Sequence, residues 1–141
     1  MSKRRAQVSL EVMLLLASLL AFFIALAPGI DKVAAVSEYA MKEKQMEFCF
    51  EKIIASVEEA GALGLGSVLR NEIYFPVECE MEYSEGKLKL QYEISGREGT
   101  LGENFGQKIL FERIKLQKGR HEMIVESAKG GIKLGFEPEK S

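Results

Sequence analysis

The residues with the most distinctive chemistry lie at the start of the chain. Glu11 stands directly before Val12–Ala27, a run of 16 residues that contains no charged side chain. A carboxylate beside such a run is unfavourable in lipid, so it indicates a functional role. Gln7 precedes Glu11 by four residues, which places both on one face of a helix. Because an unpaired buried charge is strongly destabilising, we expect Glu11 to require a positively charged partner.

Residues for catalysis or metal binding are few. The single histidine, His121, follows the turn predicted at Lys118-Gly119-Arg120, and no serine or cysteine nucleophile motif accompanies it. One histidine excludes a His-rich metal site within the chain. Glu78, Glu80 and Glu82 alternate along the sequence, which indicates the solvated face of a strand rather than a calcium loop. We therefore expect no enzymatic activity, no cofactor and no metal.

Cys49 and Cys79 form a candidate disulfide. Cys49 falls on the apolar stripe of a predicted helix, and Cys79 falls on the inward face of a predicted strand, so both point towards one core. A bond between them would close a loop of about 30 residues and stabilise the fold by roughly 3–4 kcal/mol in the chain-entropy model. Two reduced thiols packed as small apolar groups are the alternative. The sequence leaves both readings open.

The length of the chain and the distribution of its charges indicate one small domain with an anchor. The chain has 141 residues, of which 47% are hydrophobic and 28% charged, and its formal net charge is −2. No basic field favours a nucleic-acid partner. The basic cluster Lys3-Arg4-Arg5 directly precedes the apolar run, and such clusters stay on the cytoplasmic side of a membrane. The predicted orientation places the N-terminus inside and the bulk of the chain outside.

Two helical segments are predicted in the first half of the chain. Val12–Ala27 reaches the length of about 20 residues that a membrane span needs once its apolar flanks are added. Pro28-Gly29 is expected to interrupt this helix, because proline kinks or locally melts a helix. An amphipathic helix follows, with apolar residues recurring at spacings of three or four up to Ala60. The glycine-rich run Gly61–Gly66 is expected to end it and to act as a hinge.

In the second half of the chain, apolar and polar residues alternate with a period of two, which predicts strands. The stretch from Asn71 to Tyr83, with an edge position or bulge at Pro76, is expected to form a hairpin with residues 88–94. Ser95–Gly106 is expected to be a loop. Three further strands are predicted at Ile109–Gln117, Glu122–Ser127 and Ile132–Phe136. The fold class is therefore α+β, with five mostly antiparallel strands in one sheet against the helix or in a small β-sandwich.

The N-terminal motif resembles a known type of signal. Gln7, Ser9, Glu11 and Leu15, preceded by a basic leader, match the pattern Q-x-S-x-E-x-x-x-L of the class III signal peptide of archaeal type IV pilins. The resemblance implies that a prepilin peptidase cuts between Ala6 and Gln7 and leaves the apolar helix attached. Ala6 occupies a position where pilins commonly have glycine, although both residues are small.

The resemblance also implies an organisation and a function. The chain would be a major or minor structural subunit of a type IV pilus-like surface filament used for adhesion, with other pilin subunits, the peptidase and the membrane as its partners. Glu11 would pair with the free amine of Gln7 in a neighbouring subunit. The subunit would lie in the cell membrane before assembly and at the cell surface afterwards. The implied segments are a cleaved leader (1–6), a transmembrane and filament-core helix (7–30), an amphipathic helix with a hinge (31–66) and an extracellular β-domain (67–141).

Two other interpretations of the N-terminus stay open. An uncleaved helix would make the chain a membrane-anchored extracellular β-domain, such as a stator or sensor of a surface machine. A secretory signal would release a soluble domain, and Ala25-Leu26-Ala27 matches an A-x-A cleavage pattern. Cleavage there would leave Pro28 directly after the cut, where its restricted backbone counts against this interpretation.

Overall fold

The computed structural model describes residues 2–111 and 113–139, with side chains from residue 7 onwards. One helix, α1 (Ser2–Leu63), precedes seven strands in two antiparallel sheets, so the predicted α+β class is confirmed. The strands are β1 (Val68–Phe75), β2 (Cys79–Ser84), β3 (Lys87–Ile94), β4 (Arg97–Asn104), β5 (Arg113–Leu116), β6 (Gly119–Ala128) and β7 (Gly131–Pro138).

The chain divides into two compact units. The first comprises residues 1–38 and contains the apolar half of α1, and the second comprises residues 39–141. In the second unit, residues 39–63 of α1 pack with both sheets around one core. That part of the helix therefore belongs to the folded head, which begins at Tyr39.

The predicted local melting of the helix at Pro28 is wrong, because α1 continues through this residue, whereas a kink there stays a prediction. Proline removes one backbone hydrogen bond from a helix, but the bonds of the turns on either side can keep the helix continuous. The helix ends at Leu63, three residues past Gly61. Gly64 follows with a φ of +87°, the left-handed conformation that commonly stops a helix and that glycine adopts without strain.

The number of strands differs from the prediction of five. The alternation from Asn71 to Tyr83 is divided at Pro76 into β1 and β2, which belong to different sheets. Proline cannot donate to a strand ladder, so the chain leaves the first sheet at this residue. The first sheet has the order β1-β6-β7, and the second has the order β4-β3-β2-β5. The predicted inward residues of both strands nevertheless face the core, as the burial of Ile73 and Met81 shows.

The loop predicted at Ser95–Gly106 is wrong, because it contains strand β4. Ser95 and Gly96 form a two-residue connection in which both residues have positive φ, 53° and 77°. This is the requirement of the tight turns that join antiparallel strands. Glu85 and Gly86 connect β2 to β3 with the same two angles. The glycines that suggested an irregular loop are therefore accommodated within a hairpin.

The strand predicted at Ile109–Gln117 is also divided between the two sheets. Ile109 makes an isolated parallel bridge with Ile132 of β7, whereas β5 pairs with β2. The backbone of this segment is anchored on both sides of Ile132, which accepts from Leu110 N and donates to Lys108 O, each at 2.8 Å. One end of the segment thus covers part of the β7 edge, and the other extends the second sheet.

The helix and the two sheets of the head share one hydrophobic core. The helix contributes one stripe of buried side chains, and alternate residues of the strands complete the core. Its fully buried large side chains are Met46, Ile53, Val57, Phe75, Met81, Leu88, Leu90, Ile94, Ile109, Met123, Val125 and Ile132. Burial of apolar surface at this scale is the main source of the stability of a domain of this size.

Three contacts hold α1 along the outer edge of β1. Cys49 Sγ donates to the carbonyl oxygen of Tyr74 at 2.9 Å, and Lys52 Nζ donates to that of Glu72 at 2.6 Å. Asn71 Nδ2 donates to Ser56 Oγ at 3.0 Å. The first two bonds satisfy carbonyl groups of an edge strand that would otherwise be open to pairing with another chain, and the third links the two elements through side chains. The helix therefore protects this edge as well as covering the core.

Gly99 offers a test of the second sheet. It lies opposite Tyr92 in the β3–β4 pairing, and a Cβ at this position would collide with the tyrosine ring. Gly99→Ala is therefore expected to lower the free energy of unfolding by about 1–3 kcal/mol, measured by urea denaturation. Gly106→Ala is the matched control, because nothing lies within 4 Å of its added methyl group. Equal stability of the two variants would contradict the contact.

Candidate functional site

The apolar part of α1 is uncovered by the rest of the chain. An 18-residue window within this helix has a mean hydropathy of 2.5, and none of that window is buried. The exposed fraction of its large apolar side chains ranges from 43% at Leu26 to 71% at Leu15. Among the described residues this is the one helix long and apolar enough to cross a membrane. Such a surface requires lipid or other protein around it, which makes the helix suited to membrane anchoring.

The residues of the predicted processing motif all lie on this helix. Gln7, Ser9 and Glu11 are exposed, and Gln7 and Glu11 share a face one turn apart. Ala6 is helical, but its side chain lies outside the described residues. Cleavage after Ala6 and pairing of Glu11 between subunits stay predictions. What the helix does provide is an accessible motif that its own chain does not cover.

A hydroxyl inside the apolar run is satisfied within the helix. Ser18 Oγ donates to the carbonyl oxygen of Leu14 at 2.7 Å. Such a bond to the preceding turn lets a serine enter an apolar environment without an unpaired donor. Glu11 therefore remains the polar group at the start of this run for which a partner outside the helix is expected.

Cys49 and Cys79 are both buried and both free thiols in the structure. Burial raises the pKa of the Cys49 thiol to about 11. Burial also raises the pKa of the Cys79 thiol to about 12, and the neighbouring Cys49 adds to this rise. Both side chains thus face the core of the head, as the sequence predicted. The disulfide between them stays a prediction.

The raised pKa values predict how the stability of the reduced head depends on pH. An unfolded cysteine has a pKa near 9.0, so above pH 9 the unfolded chain loses its thiol protons before the folded chain does. The free energy of unfolding should therefore fall as the pH rises from about 9 towards 12, measured by urea denaturation with a reductant present. The Cys49→Ala, Cys79→Ala double variant should show a weaker dependence. An identical slope in both proteins would contradict the prediction.

The other residues considered for catalysis or metal binding contact neighbouring strands and core residues. His121 is buried in β6, its ring lies edge-on to Phe75 at 5.6 Å, and its Nε2 lies 2.7 Å from the carbonyl oxygen of Gln117. A carbonyl oxygen only accepts, so Nε2 carries the proton. Glu82 stands opposite Lys89, and Glu80 pairs with Arg113 on the neighbouring strand. Within the described residues, no cluster of three histidine, cysteine or acidic side chains could hold a metal ion.

A surface that the sequence did not reveal lies on the head between α1 and β1. Met41 and Phe48 project from the helix and Tyr74 from the strand, and together they line a groove of about 610 Å³ that we call the apolar groove. Met41 and Phe48 are seven residues, or two turns, apart in the sequence. This spacing indicates that they share a helix face, distinct from the buried stripe. The contribution of Tyr74 could not be foreseen, because only the folded head brings β1 beside this face.

Comparisons with known proteins do not assign a family. No protein-family model matches the chain, and neither a curated protein nor a solved structure is detectably similar to it. The architecture of a long apolar N-terminal helix followed by antiparallel sheets is compatible with a pilin-like fold.

Proposed function

We propose that this chain is a structural subunit of a type IV pilus-like surface filament, processed by a prepilin peptidase before Gln7. The observation that carries the proposal is the uncovered apolar helix that begins with an exposed Gln7-x-Ser9-x-Glu11 motif. A signal-type helix that is retained after cleavage can serve first as a membrane anchor and then as the packing element of a filament. The folded head beginning at Tyr39 would face the medium and provide the surface for adhesion.

The length of the uncharged segment supports an initial membrane location. From Val12 to Ile30 no residue is charged, and Asp31 and Lys32 follow. These 19 residues span roughly 28 Å as a helix, close to the thickness of about 30 Å of the hydrocarbon core of a bilayer. The same length suits a helix bundle from which water is excluded. The basic leader supports an orientation with the N-terminus in the cytoplasm.

The N-terminal residue of the protein recovered from cell envelopes tests this proposal most directly. Intact mass measurement and peptide sequencing are expected to give a chain that starts at Gln7. In cells that lack the prepilin peptidase, the chain should keep its leader, which provides the control. A start at Pro28 would mean a secreted domain, and a retained leader in normal cells would mean an uncleaved anchor. Either result would contradict the proposed processing.

The second candidate function is an uncleaved, membrane-anchored β-domain. The same uncharged helix of membrane length favours it, because anchoring needs the helix but not the cut. The two functions differ in what Glu11 does. In an anchored monomer Glu11 would lie in the headgroup region, so its removal should leave the protein at its place in the membrane with its activity intact.

A further inference from the structure

The apolar groove of the head is open and has large apolar walls. Phe48 is 66% exposed, Met41 is 61% exposed and Tyr74 is 47% exposed. Exposed aromatic side chains in a concave surface are typical of an interaction site, because they supply apolar contact area with little loss of conformational freedom. Met41 and Phe48 lie in the first half of the head's part of α1, which begins at Tyr39, and Tyr74 lies on β1.

Cations surround this groove. Lys44, Lys52 and Arg120 line it, together with a single acidic residue, Glu72. Lys44 lies 2.6 Å from Glu47, and Lys52 is fixed by its bond to the carbonyl oxygen of Glu72. Because a carbonyl group is neutral, this bond holds the Lys52 ammonium in place and leaves its positive charge uncompensated. The chemistry of the groove favours an occupant with an apolar side chain flanked by carboxylates.

The head presents such a feature at the other end of its helix. The segment 63–68, which we call the Leu65 loop, exposes Leu63, Leu65 and Val68 by 61%, 74% and 51%. Three large apolar side chains within six residues form a projecting apolar surface. This loop overlaps the glycine-rich run Gly61–Gly66, to which the proposed function gives no role.

Hydrogen bonds fix the Leu65 loop in place. Ser67 Oγ lies 3.1 Å from Ala60 O and 2.8 Å from Gly64 O, so it closes the loop against the end of the helix. Gly66 N donates to Ser127 O at 2.8 Å, and Ser127 N donates to Ser67 O at 2.9 Å. A loop held at both ends by such bonds loses little conformational entropy when it binds. The loop therefore presents Leu65 in a defined position.

Carboxylates flank the Leu65 loop. Glu58 and Glu59 are exposed on the last turns of the helix, and Glu59 lies one turn before Leu63. Glu126 stands opposite Val68 in the pairing of β1 with β6. The acidic apolar projection thus complements the basic apolar groove in charge, and both surfaces offer large apolar side chains.

We propose that the Leu65 loop of one copy of this chain docks into the apolar groove of the next copy. This inference rests on the proposed function, since it names the head surfaces through which filament subunits would meet. The loop and the groove are different surfaces at opposite ends of the head helix, so the contact is heterologous. A docked pair keeps one free groove on one copy and one free loop on the other, and such contacts generate an open filament rather than a closed dimer. The occupant of the groove is therefore a second copy of the chain.

Cross-linking between two differently tagged copies tests the contact. One copy carries Leu65→Cys and the other carries Met41→Cys, both as full-length chains made in the same cells and recovered from envelopes. A short bifunctional maleimide is expected to give a covalent dimer that contains both tags. The native thiols should stay unreactive at neutral pH, because burial raises the pKa of Cys49 to about 11 and that of Cys79 to about 12.

A matched pair of copies and a second variant complete the test. The control pair combines one copy that carries Leu65→Cys with another that carries Gln91→Cys. Gln91 is exposed on the second sheet and does not line the groove, so this pair should give little covalent dimer. Leu65→Asp is expected to reduce the yield of sheared filaments by about tenfold or more while head stability stays unchanged. Filaments with Gln7 at the N-terminus but with equal cross-linking in both pairs would overturn the docking and leave the proposed function intact. A dimer from uncleaved chains would support the docking and contradict the proposed function, and the absence of filaments and of the dimer would overturn both.

Discussion

Glu11→Gln is expected to abolish surface filaments while the chain still inserts into the membrane. In the proposed filament the Glu11 carboxylate pairs with the amine of Gln7 of a neighbouring subunit in a core without water. Glutamine keeps the shape of the side chain but leaves that amine without a counter-charge. Removing one partner of a buried ion pair typically costs about 3–5 kcal/mol, which corresponds to more than a hundredfold loss of assembly per contact.

Electron microscopy of cell surfaces and the amount of protein in sheared filaments provide the measurement for Glu11. Asp31→Asn is the matched control, because it also removes one carboxylate charge without changing shape, just after the uncharged run. We expect filaments from the Asp31 variant and none from the Glu11 variant, with equal amounts of both proteins in membranes. Normal filaments from Glu11→Gln would contradict the pairing and favour a position of Glu11 in the headgroup region.

Phe75→Ala is expected to be the most damaging single change in the head. Phe75 is fully buried at the end of β1, where its ring makes edge contacts with His121 at 5.6 Å and with Phe136 at 6.0 Å. Truncation to alanine removes the ring from the core that the helix and both sheets share. A loss of about 3–5 kcal/mol is expected from the lost burial and the cavity left behind. For a head of about 100 residues this lowers the midpoint of thermal unfolding by roughly 12 °C or more.

The neighbouring residue supplies the control for Phe75. Tyr74 is the adjacent aromatic side chain of the same strand, but it points to solvent and is 47% exposed. Tyr74→Ala is expected to change the stability of the head by about 1 kcal/mol or less. Circular dichroism of the full-length proteins in detergent measures both variants. Similar midpoints would mean that β1 does not place Phe75 in the core as described.

The inward faces of the strands were predictable, whereas their assignment to sheets was not. Alternation from Asn71 to Tyr83 identified Ile73 and Met81 as core residues, and both are fully or nearly fully buried. Side chains alternate along a strand with a period of two whichever strands flank it, so this pattern is local. Assignment to a sheet depends on residues distant in sequence, such as the pairing of Ile73 with His121 and of Met81 with Ile114. Only the folded chain brings these partners together.

Glycine and proline residues were less reliable guides to structure than the alternation of apolar residues. The glycines of Ser95–Gly106 suggested irregular chain, yet Ser95-Gly96 makes a tight turn and Gly99 leaves room for the ring of Tyr92. Pro28 suggested a break, yet α1 continues through it, while Pro76 ends one strand and starts the crossing to the other sheet. The same residue type therefore interrupts a strand in one place and leaves a helix continuous in another. The surrounding hydrogen bonds decide between these outcomes.

Local patterns in the sequence were enough to predict the long apolar N-terminal segment of the helix, its amphipathic continuation and the α+β class. These properties depend on residues that are close along the chain: an uncharged run, a basic leader, and apolar periods of three to four or of two. Only the folded head shows which strands share a sheet and that Tyr74 lies beside Met41 and Phe48 in the apolar groove. Both depend on contacts between residues far apart in sequence, such as Ile73 with His121 in the first sheet and Cys49 with the carbonyl oxygen of Tyr74 beside the groove. Such contacts depend on the packing of the whole head, which no local pattern specifies.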